Sequence, residues 1–308
     1  MSKHRAILIA GPTASGKSAV ALGLAERLGG VIINADSMQV YSDLQILSAR
    51  PTDEDEARVP HMLYGFAPAS HAYSVGQWLE DVKGAMADAV RLGQMPIITG
   101  GTGLYFKALL EGLSPIPDIP EDVRKHWREL GREQDAEELH VLLSERDPEM
   151  ASRLRPSDPQ RVVRALEVLD ATGRSLAEWQ SEPGEPLLGE TQVVRVFVEP
   201  PRETLYERID KRFDAMLEEG ALEEVERLAK QKLDPGLPAM RALGVKPLMA
   251  LFNGTVEREE AVERAKTETR RYAKRQLTWA KSNMIAWKRI FEKDSESILA
   301  KIISFIDV

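Results

Sequence analysis

Gly11-Pro-Thr-Ala-Ser-Gly-Lys-Ser18 follows directly on a short apolar run and opens a stretch of helical periodicity. It is the pattern G-x-x-x-x-G-K-[ST] in the context that gives the pattern meaning, a buried strand before it and a helix after it. Gly11 and Gly16 let the backbone curl round an anion, with Pro12, Thr13, Ala14 and Ser15 forming the body of the loop and its N–H groups turned inward. Lys17 is placed to reach terminal phosphate oxygens, and the Ser18 hydroxyl to ligate Mg²⁺. The chain therefore reads as an enzyme that grips a di- or triphosphate.

Working outward from the loop, residues 5–10, 31–34, 96–99 and 193–198 are short Ile- and Val-rich runs bounded by turn or polar residues, as expected of strands buried in a parallel sheet. Helical patterns lie between them at 18–28, 74–92 and 104–110. Such alternation predicts an α/β fold, a P-loop NTPase-like parallel sheet with right-handed crossovers. After Gly112 the texture changes. Residues 113–120 hold three prolines, and amphipathic helices are expected near 121–131, 134–143 and 159–172 before Ser181-Glu-Pro-Gly-Glu-Pro186 closes the segment. The predicted organisation is a core of residues 1–112 and 191–308 with a helical insertion at 113–190. From 202 onward the chain reads as helix-rich, ending in one long segment from about 256 to 288.

With 308 residues, 29% charged and 6% aromatic, the chain has enough length for a full core and a second small domain. It holds no cysteine, which excludes a disulfide framework and Cys-ligated zinc and fits a reducing cytoplasm. The run after the basic N-terminus is too short for a secretory segment or a membrane span, so a membrane partner is not expected. His4, His61, His71, His126 and His140 are scattered without ligand spacing. The net charge of −8 argues against a nucleic-acid partner until its distribution is read. Residues 116–190 hold 18 acidic and 10 basic side chains, which accounts for the whole imbalance, whereas residues 264–289 hold nine Lys and Arg against the single acid Glu268. Within that stripe Arg270, Lys274 and Lys281 share a helical face, with Arg271 and Arg275 beside them and Tyr272, Trp279 and Trp287 interleaved. Cations following a backbone with aromatics nearby suit RNA.

Two further loops follow predicted strands, at the carboxyl edge where open α/β sheets bind ligands. Asn34-Ala-Asp-Ser-Met-Gln-Val-Tyr41 puts Asp36 there, able to hold Mg²⁺ through water, to act as general base, or only to cap a turn. Gly100-Gly-Thr-Gly-Leu-Tyr105 adds the Thr102 hydroxyl. Arg208, Lys211 and Arg212 lie on one charged stretch, with Phe213, Met216 and Leu217 marking an apolar face that can direct one arginine inward as a phosphate clamp.

GPTASGKS, NADSMQVY, GGTGLY, DPQRVVRALEV…TG, KRFDAML and TRRYAKRQLTW stand in the order and spacing of the tRNA dimethylallyltransferases, and the resemblance runs from residue 6 to about 290. It implies transfer of a dimethylallyl group from dimethylallyl diphosphate to N6 of adenosine 37, in the anticodon stem-loop of tRNA. It further implies that Thr13–Ser18 and Arg212 hold the diphosphate, that Asp36 is the base, and that Thr102 bonds the leaving oxygen. The implied tRNA contacts are Asp36, Ser37, Met38, Gln39, Thr102, Arg124, Gln160, Arg161, Val162, Val163, Arg164, Arg241, Lys246, Lys274, Arg275, Gln276 and Lys281. The chain resembles the bacterial form, without the zinc finger of eukaryotic relatives, and is expected to be monomeric. Ser48-Ala-Arg-Pro51 and His61-Met62 depart mildly from the family pattern, and Leu243-Gly-Val-Lys246 lacks its usual tyrosine, at Val245. Read from the residues alone, a P-loop kinase of a small metabolite, binding ATP, is the principal alternative. An RNA-binding module with a nucleotide switch is a third. A small-metabolite kinase needs neither the basic helix nor the insertion.

Overall fold

The computed structural model describes residues 5–189 and 192–306. His4 and the join at residues 190–191 lie outside the described residues. The chain divides into two compact units, Met1–Leu110 with Leu187–Val308, and Glu111–Pro186.

In the larger unit the order is β1 (Ala6–Ala10), α1 (Lys17–Leu28), β2 (Gly30–Asn34), α2 (Asp53–Arg58), β3 (His61–Met62), α3 (Val75–Arg91), β4 (Met95–Gly100) and α4 (Gly103–Glu111). The six strands pair in the order β3-β2-β4-β1-β5-β6, every pair parallel. β1 is central, with Ile7 beside Ile97 on one side and Val194 on the other. Its residues alternate between two apolar layers. Ala6, Leu8 and Ala10 face Trp78, Phe106 and Trp287, whereas Ile7 and Ile9 face Val20, Leu24 and Ile302. Both faces are covered, so the strands carry no polar alternation.

In the smaller unit α5 (Glu121–Glu133), α6 (Ala136–Arg146), α7 (Pro148–Arg153), α8 (Pro159–Thr172) and α9 (Leu176–Ser181) enclose a separate core around Trp127, Leu139, Leu143, Val162 and Leu166. Two of these, α7 and α9, span six residues each, too short for their periodicity to stand out in sequence.

The chain then returns to the sheet as β5 (Val193–Val198) and continues as α10 (Arg202–Glu218), α11 (Ala221–Lys230), α12 (Val245–Phe252), α13 (Arg258–Asn283), β6 (Lys288–Ile290) and α14 (Ser295–Ile306). The expected single helix to residue 288 is corrected: α13 stops at Asn283, and Met284–Trp287 turns the chain into an edge strand. Buried Met284 and Trp287 pull that turn onto the sheet, Trp287 edge-on against Phe106 at 5.3 Å. β3 and β6 hold only two and three residues, so neither offers the run from which a strand can be read.

Candidate active site

The loop after β1 takes the shape its glycines allow. Gly16 is left-handed at φ 94° and caps α1 without a side-chain hydrogen bond, leaving the first N–H groups of the helix to whatever the loop holds. Ala14 is also left-handed, at φ 63°, a conformation that costs about 1 kcal/mol or more for a residue with a Cβ. The Ser15 hydroxyl is buried with no hydrogen-bond partner among the described residues.

Side chains from two distant helices brace this loop. From α10, Arg212 donates to the Thr13 hydroxyl, and Arg208 reaches the Ser15 carbonyl at 3.4 Å and the Lys293 carbonyl at 2.5 Å. The apolar face of α10 (Leu205, Ile209, Phe213, Met216) is buried, which turns Arg212 toward the loop. From α13, Gln276 accepts from the Thr13 N–H at 3.0 Å and donates to the Gly101 carbonyl at 2.8 Å.

Two of the predicted loops are tied to each other. The Ser37 N–H donates to the Thr102 hydroxyl at 2.9 Å, and Thr102 Oγ1 donates to Ser37 Oγ at 3.3 Å. Asp36 is fixed at its backbone by the buried carboxamide of Asn34, which accepts from Asp36 N–H at 2.7 Å and donates to its carbonyl at 3.0 Å. One carboxylate oxygen of Asp36 accepts from the Met38 N–H at 3.0 Å. The other faces Gly101, 3.2 Å from where a Cβ would stand, and the same Cβ would lie 2.4 Å from Gln276 Nε2. Only glycine fits between the base candidate and α13.

The electrostatics centre on three groups. Burial lowers the Lys17 ammonium to about 8, with Asp36 opposing and Arg212 reinforcing that shift. Burial likewise lowers Arg212 while Asp36 raises it. A site that holds two desolvated cations against one carboxylate is arranged for an incoming anion. Two cavities open here. One, of about 220 Å³, is almost wholly apolar and is lined by Thr102, Phe106, Phe197, Tyr272, Trp279 and Met284. The other, of about 270 Å³, brings Asp36, Thr13, Arg212, Phe213, Met216 and Arg241 together. Tyr272 and Arg275 line both, and the Arg275 guanidinium lies 5.6 Å from the Tyr272 ring.

The other predicted residues divide by position. Arg271, Lys274, Arg275 and Lys281 are exposed along α13. Arg270 is not part of that free face: it pairs with Asp210 at 2.7 Å and Glu263 at 2.5 Å, as Lys266 pairs with Asp214 at 2.6 Å. The acids come from α10 and from two turns upstream on α13, outside the stripe over which the charges were counted. Trp287 belongs to the core and is unavailable for stacking, whereas Trp279 packs on Gly103 and lines the apolar cavity. Gln276 is committed to the two loops. Gln39 donates to the Ser48 and Ala49 carbonyls and so fixes the neighbouring loop. Arg241 and Lys246 are exposed, and Val245 is fully buried, so no surface contact is available there.

In the smaller unit, Arg124, Gln160, Arg161 and Arg164 reach the surface to different degrees. Val162 does not. It is fully buried, and Val163 packs against Gly131, where a Cβ would come within 2.7 Å. The expected RNA contact of the Val162 side chain is corrected to packing, which follows from its helical phase between Arg161 and Arg164, whereas Val163 is half-buried. Asn34 has no role in the sequence reading, and Arg208 and Tyr272 stand there only as members of the charged stretch and of the basic stripe. Arg208 sits one turn before Arg212, and that spacing was the one available signal.

The fold and site together define a P-loop-type group-transfer enzyme whose loop faces apolar cavities as well as cations. The model of the IPP transferase family matches residues 39–283, and that of isopentenyl transferase residues 4–61. A tRNA dimethylallyltransferase of Parvibaculum lavamentivorans is 53% identical over 304 residues, 98% of this chain and 96% of that protein. The solved tRNA isopentenylpyrophosphate transferase of Bacillus halodurans superposes with a TM-score of 0.70 at 32% identity, covering 98% of this chain and 95% of that one. A eukaryotic dimethylallyltransferase acting on tRNA superposes with a TM-score of 0.74 at 32% identity, over 89% of this chain and 69% of its own. The chain belongs to the IPP transferase family, the tRNA dimethylallyltransferases. The small-metabolite kinase reading is not favoured. No helix among the described residues is long and apolar enough to cross a membrane.

Proposed function

We propose that this chain transfers the dimethylallyl group of dimethylallyl diphosphate to N6 of adenosine 37 in tRNA. The observation that carries the proposal is the convergence of Asp36, Thr102, Lys17 and Arg212 at one sheet edge, beside one largely apolar cavity and one of mixed polar and apolar lining. A kinase site needs the cations but has no use for so much apolar surface.

In the step proposed, the N6 amine attacks the allylic carbon, the carbon–oxygen bond breaks with its electron pair passing to the diphosphate, and the amine proton passes to Asp36. An exocyclic adenine amine is a weak nucleophile inside a stacked loop, so the base must leave the stack to enter a cavity. Lys17, Arg212 and the loop N–H groups neutralise the leaving diphosphate. Thr102, hydrogen-bonded to Ser37, would bond the leaving oxygen.

Mg²⁺ is part of the reading. No group of three His, Asp or Glu residues that could hold a metal occurs among the described residues. Ser18 is exposed at the start of α1 and is the candidate protein ligand. One hydroxyl with phosphate oxygens and water suits Mg²⁺, which usually keeps several waters. Bound there, it would supply further charge neutralisation to the diphosphate. The tRNA contacts proposed are Arg271, Lys274, Arg275 and Lys281 on α13, Arg241 and Lys246 before and at the start of α12, and the arginines of the smaller unit. The reading includes a cytoplasmic, monomeric enzyme.

The test is incubation with unmodified tRNA and radiolabelled dimethylallyl diphosphate, with γ-labelled ATP and candidate metabolites as the competing arm. Label is expected in tRNA from the allylic donor alone. Label passing from ATP to a small molecule, with none entering tRNA, would overturn the proposal.

A further inference from the structure

In the smaller unit a carboxylate is buried where no catalytic step uses it. The side chain of Glu167, on α8, is 4% exposed, yet it lies 3.1 Å from Arg164 Nη1 and 3.5 Å from Arg128 Nε. Arg164 stands one turn earlier on α8, and Arg128 comes from α5, which packs against α8 at Gly131 and Val163. The Arg164 and Arg128 side chains remain 42% and 52% exposed. One acid is thus held in the interior while the two cations it pairs with keep about half of their side chains at the surface. A guanidinium has five N–H donors, and one contact to Glu167 leaves the others free for a second acceptor.

We infer that Glu167 is a positioning residue that holds Arg128 and Arg164 as a paired clamp for RNA phosphate, with Arg128 a contact that the family resemblance does not mark. The inference rests on the proposed tRNA-binding role of this unit. Three observations carry it. The unit (residues 111–186) holds 18 acids against 10 bases, so RNA cannot be drawn to it by bulk charge and needs organised cations. Further cations lie along both helices: Arg161, 73% exposed and paired with Asp158 at 3.2 Å, lies one turn before Arg164, and Arg124, 33% exposed and paired with Glu121 at 3.6 Å, lies one turn before Arg128. A buried acid is expensive unless paired, and replacing it by an apolar residue would serve the core at least as well. Its use lies in fixing the rotamers of two long side chains before RNA arrives, which reduces the entropy lost on binding.

The test measures the Kd of an unmodified anticodon stem-loop across a salt series for the wild type, Glu167→Gln and Arg128→Ala. Bulk electrostatics and the clamp predict opposite signs for Glu167→Gln. Removing a negative charge should tighten RNA binding if only net charge matters, whereas losing the clamp should weaken it, by roughly five- to tenfold, with a shallower salt slope. Under the inference KM for tRNA rises with Kd, while kcat at saturating tRNA and KM for the allylic donor stay near wild type. A general loss of structure would lower kcat as well. Arg128→Ala, at an exposed position, is expected to weaken binding similarly, and the double variant to add little. Equal or tighter binding by folded Glu167→Gln overturns the inference. Should that variant fail to fold, unchanged binding by Arg128→Ala overturns it alone. A wild-type chain that does not bind the stem-loop removes the RNA reading itself, a different result from either.

Discussion

The Ser37 backbone N–H donates to the Thr102 hydroxyl at 2.9 Å and the Thr102 N–H donates to the Ala35 carbonyl at 3.2 Å, so the loops after β2 and β4 are tied together across the sheet edge. The first of these bonds spans 65 residues of sequence and sets the base candidate Asp36 beside the hydroxyl proposed for the leaving oxygen. Thr102→Val removes acceptor and donor together while keeping the shape. Its kcat is expected to fall about 10²-fold or more, the scale of losing one transition-state hydrogen bond, with Thr102→Ser far milder. Asp36→Ala is expected to lose transfer by at least about 10²-fold while tRNA binding is largely kept. Steady-state kinetics beside filter binding separates the two effects, and wild-type turnover in Asp36→Ala would remove its role as base.

Lys17 gives the site a pH dependence with a definite sign. Its ammonium titrates near 8 in the free enzyme, and the protonated form is the one that attracts diphosphate. Pyrophosphate affinity should therefore hold below about pH 7.5 and weaken as pH rises through 8, by up to about tenfold per unit. Folding stability moves the opposite way. The folded chain holds this proton less tightly than the unfolded chain, so stability rises as pH goes from about 8 toward the ordinary lysine value of 10.5. Calorimetric titration of wild type and Lys17→Met checks this, since the variant should bind weakly with a flatter profile.

Gln276 distinguishes a structural brace from an RNA contact. Its carboxamide spans the Thr13 N–H and the Gly101 carbonyl, and removing it frees both loops. Gln276→Ala is expected to weaken pyrophosphate binding about fivefold, the scale of one hydrogen bond of about 1 kcal/mol, and to change stem-loop affinity little. The reverse pattern would return this residue to the RNA interface.

On α13 the structure sorts cations that look equivalent in sequence. Lys274→Ala and Lys281→Ala are expected to weaken tRNA binding at all sequences and each to flatten the salt slope by about one. Arg270→Ala, which breaks pairs with Asp210 and Glu263, is expected to lower thermal stability and leave that slope unchanged.

Val162 tests the packing correction in the smaller unit. Val162→Ala is expected to cost roughly 2 kcal/mol of that unit's stability through lost burial and a residual cavity. Stem-loop affinity under conditions where the unit stays folded should not change.

What the sequence by itself determined is local. The loop Gly11–Ser18, the four longer strands and most long helices are legible because period, glycine placement and apolar runs are properties of neighbouring residues. The motifs at Asp36 and Thr102 are legible for the same reason, since a strand end fixes the sheet edge to which they belong. Tertiary structure decided whatever depends on partners far along the chain. Arg270 and Lys266 look unpaired until α10 brings Asp210 and Asp214 beside them. Gln276 looks like one more polar residue on a basic helix until Thr13 and Gly101 arrive on either side of it. The edge strands β3 and β6 exist because neighbouring strands supply their hydrogen bonds, not because two or three residues prefer that conformation. A hydrogen bond or ion pair between groups many residues apart leaves no periodicity in either segment. The loop proposed to hold the diphosphate could thus be located from eight letters, whereas the helices that brace it had to be seen in three dimensions.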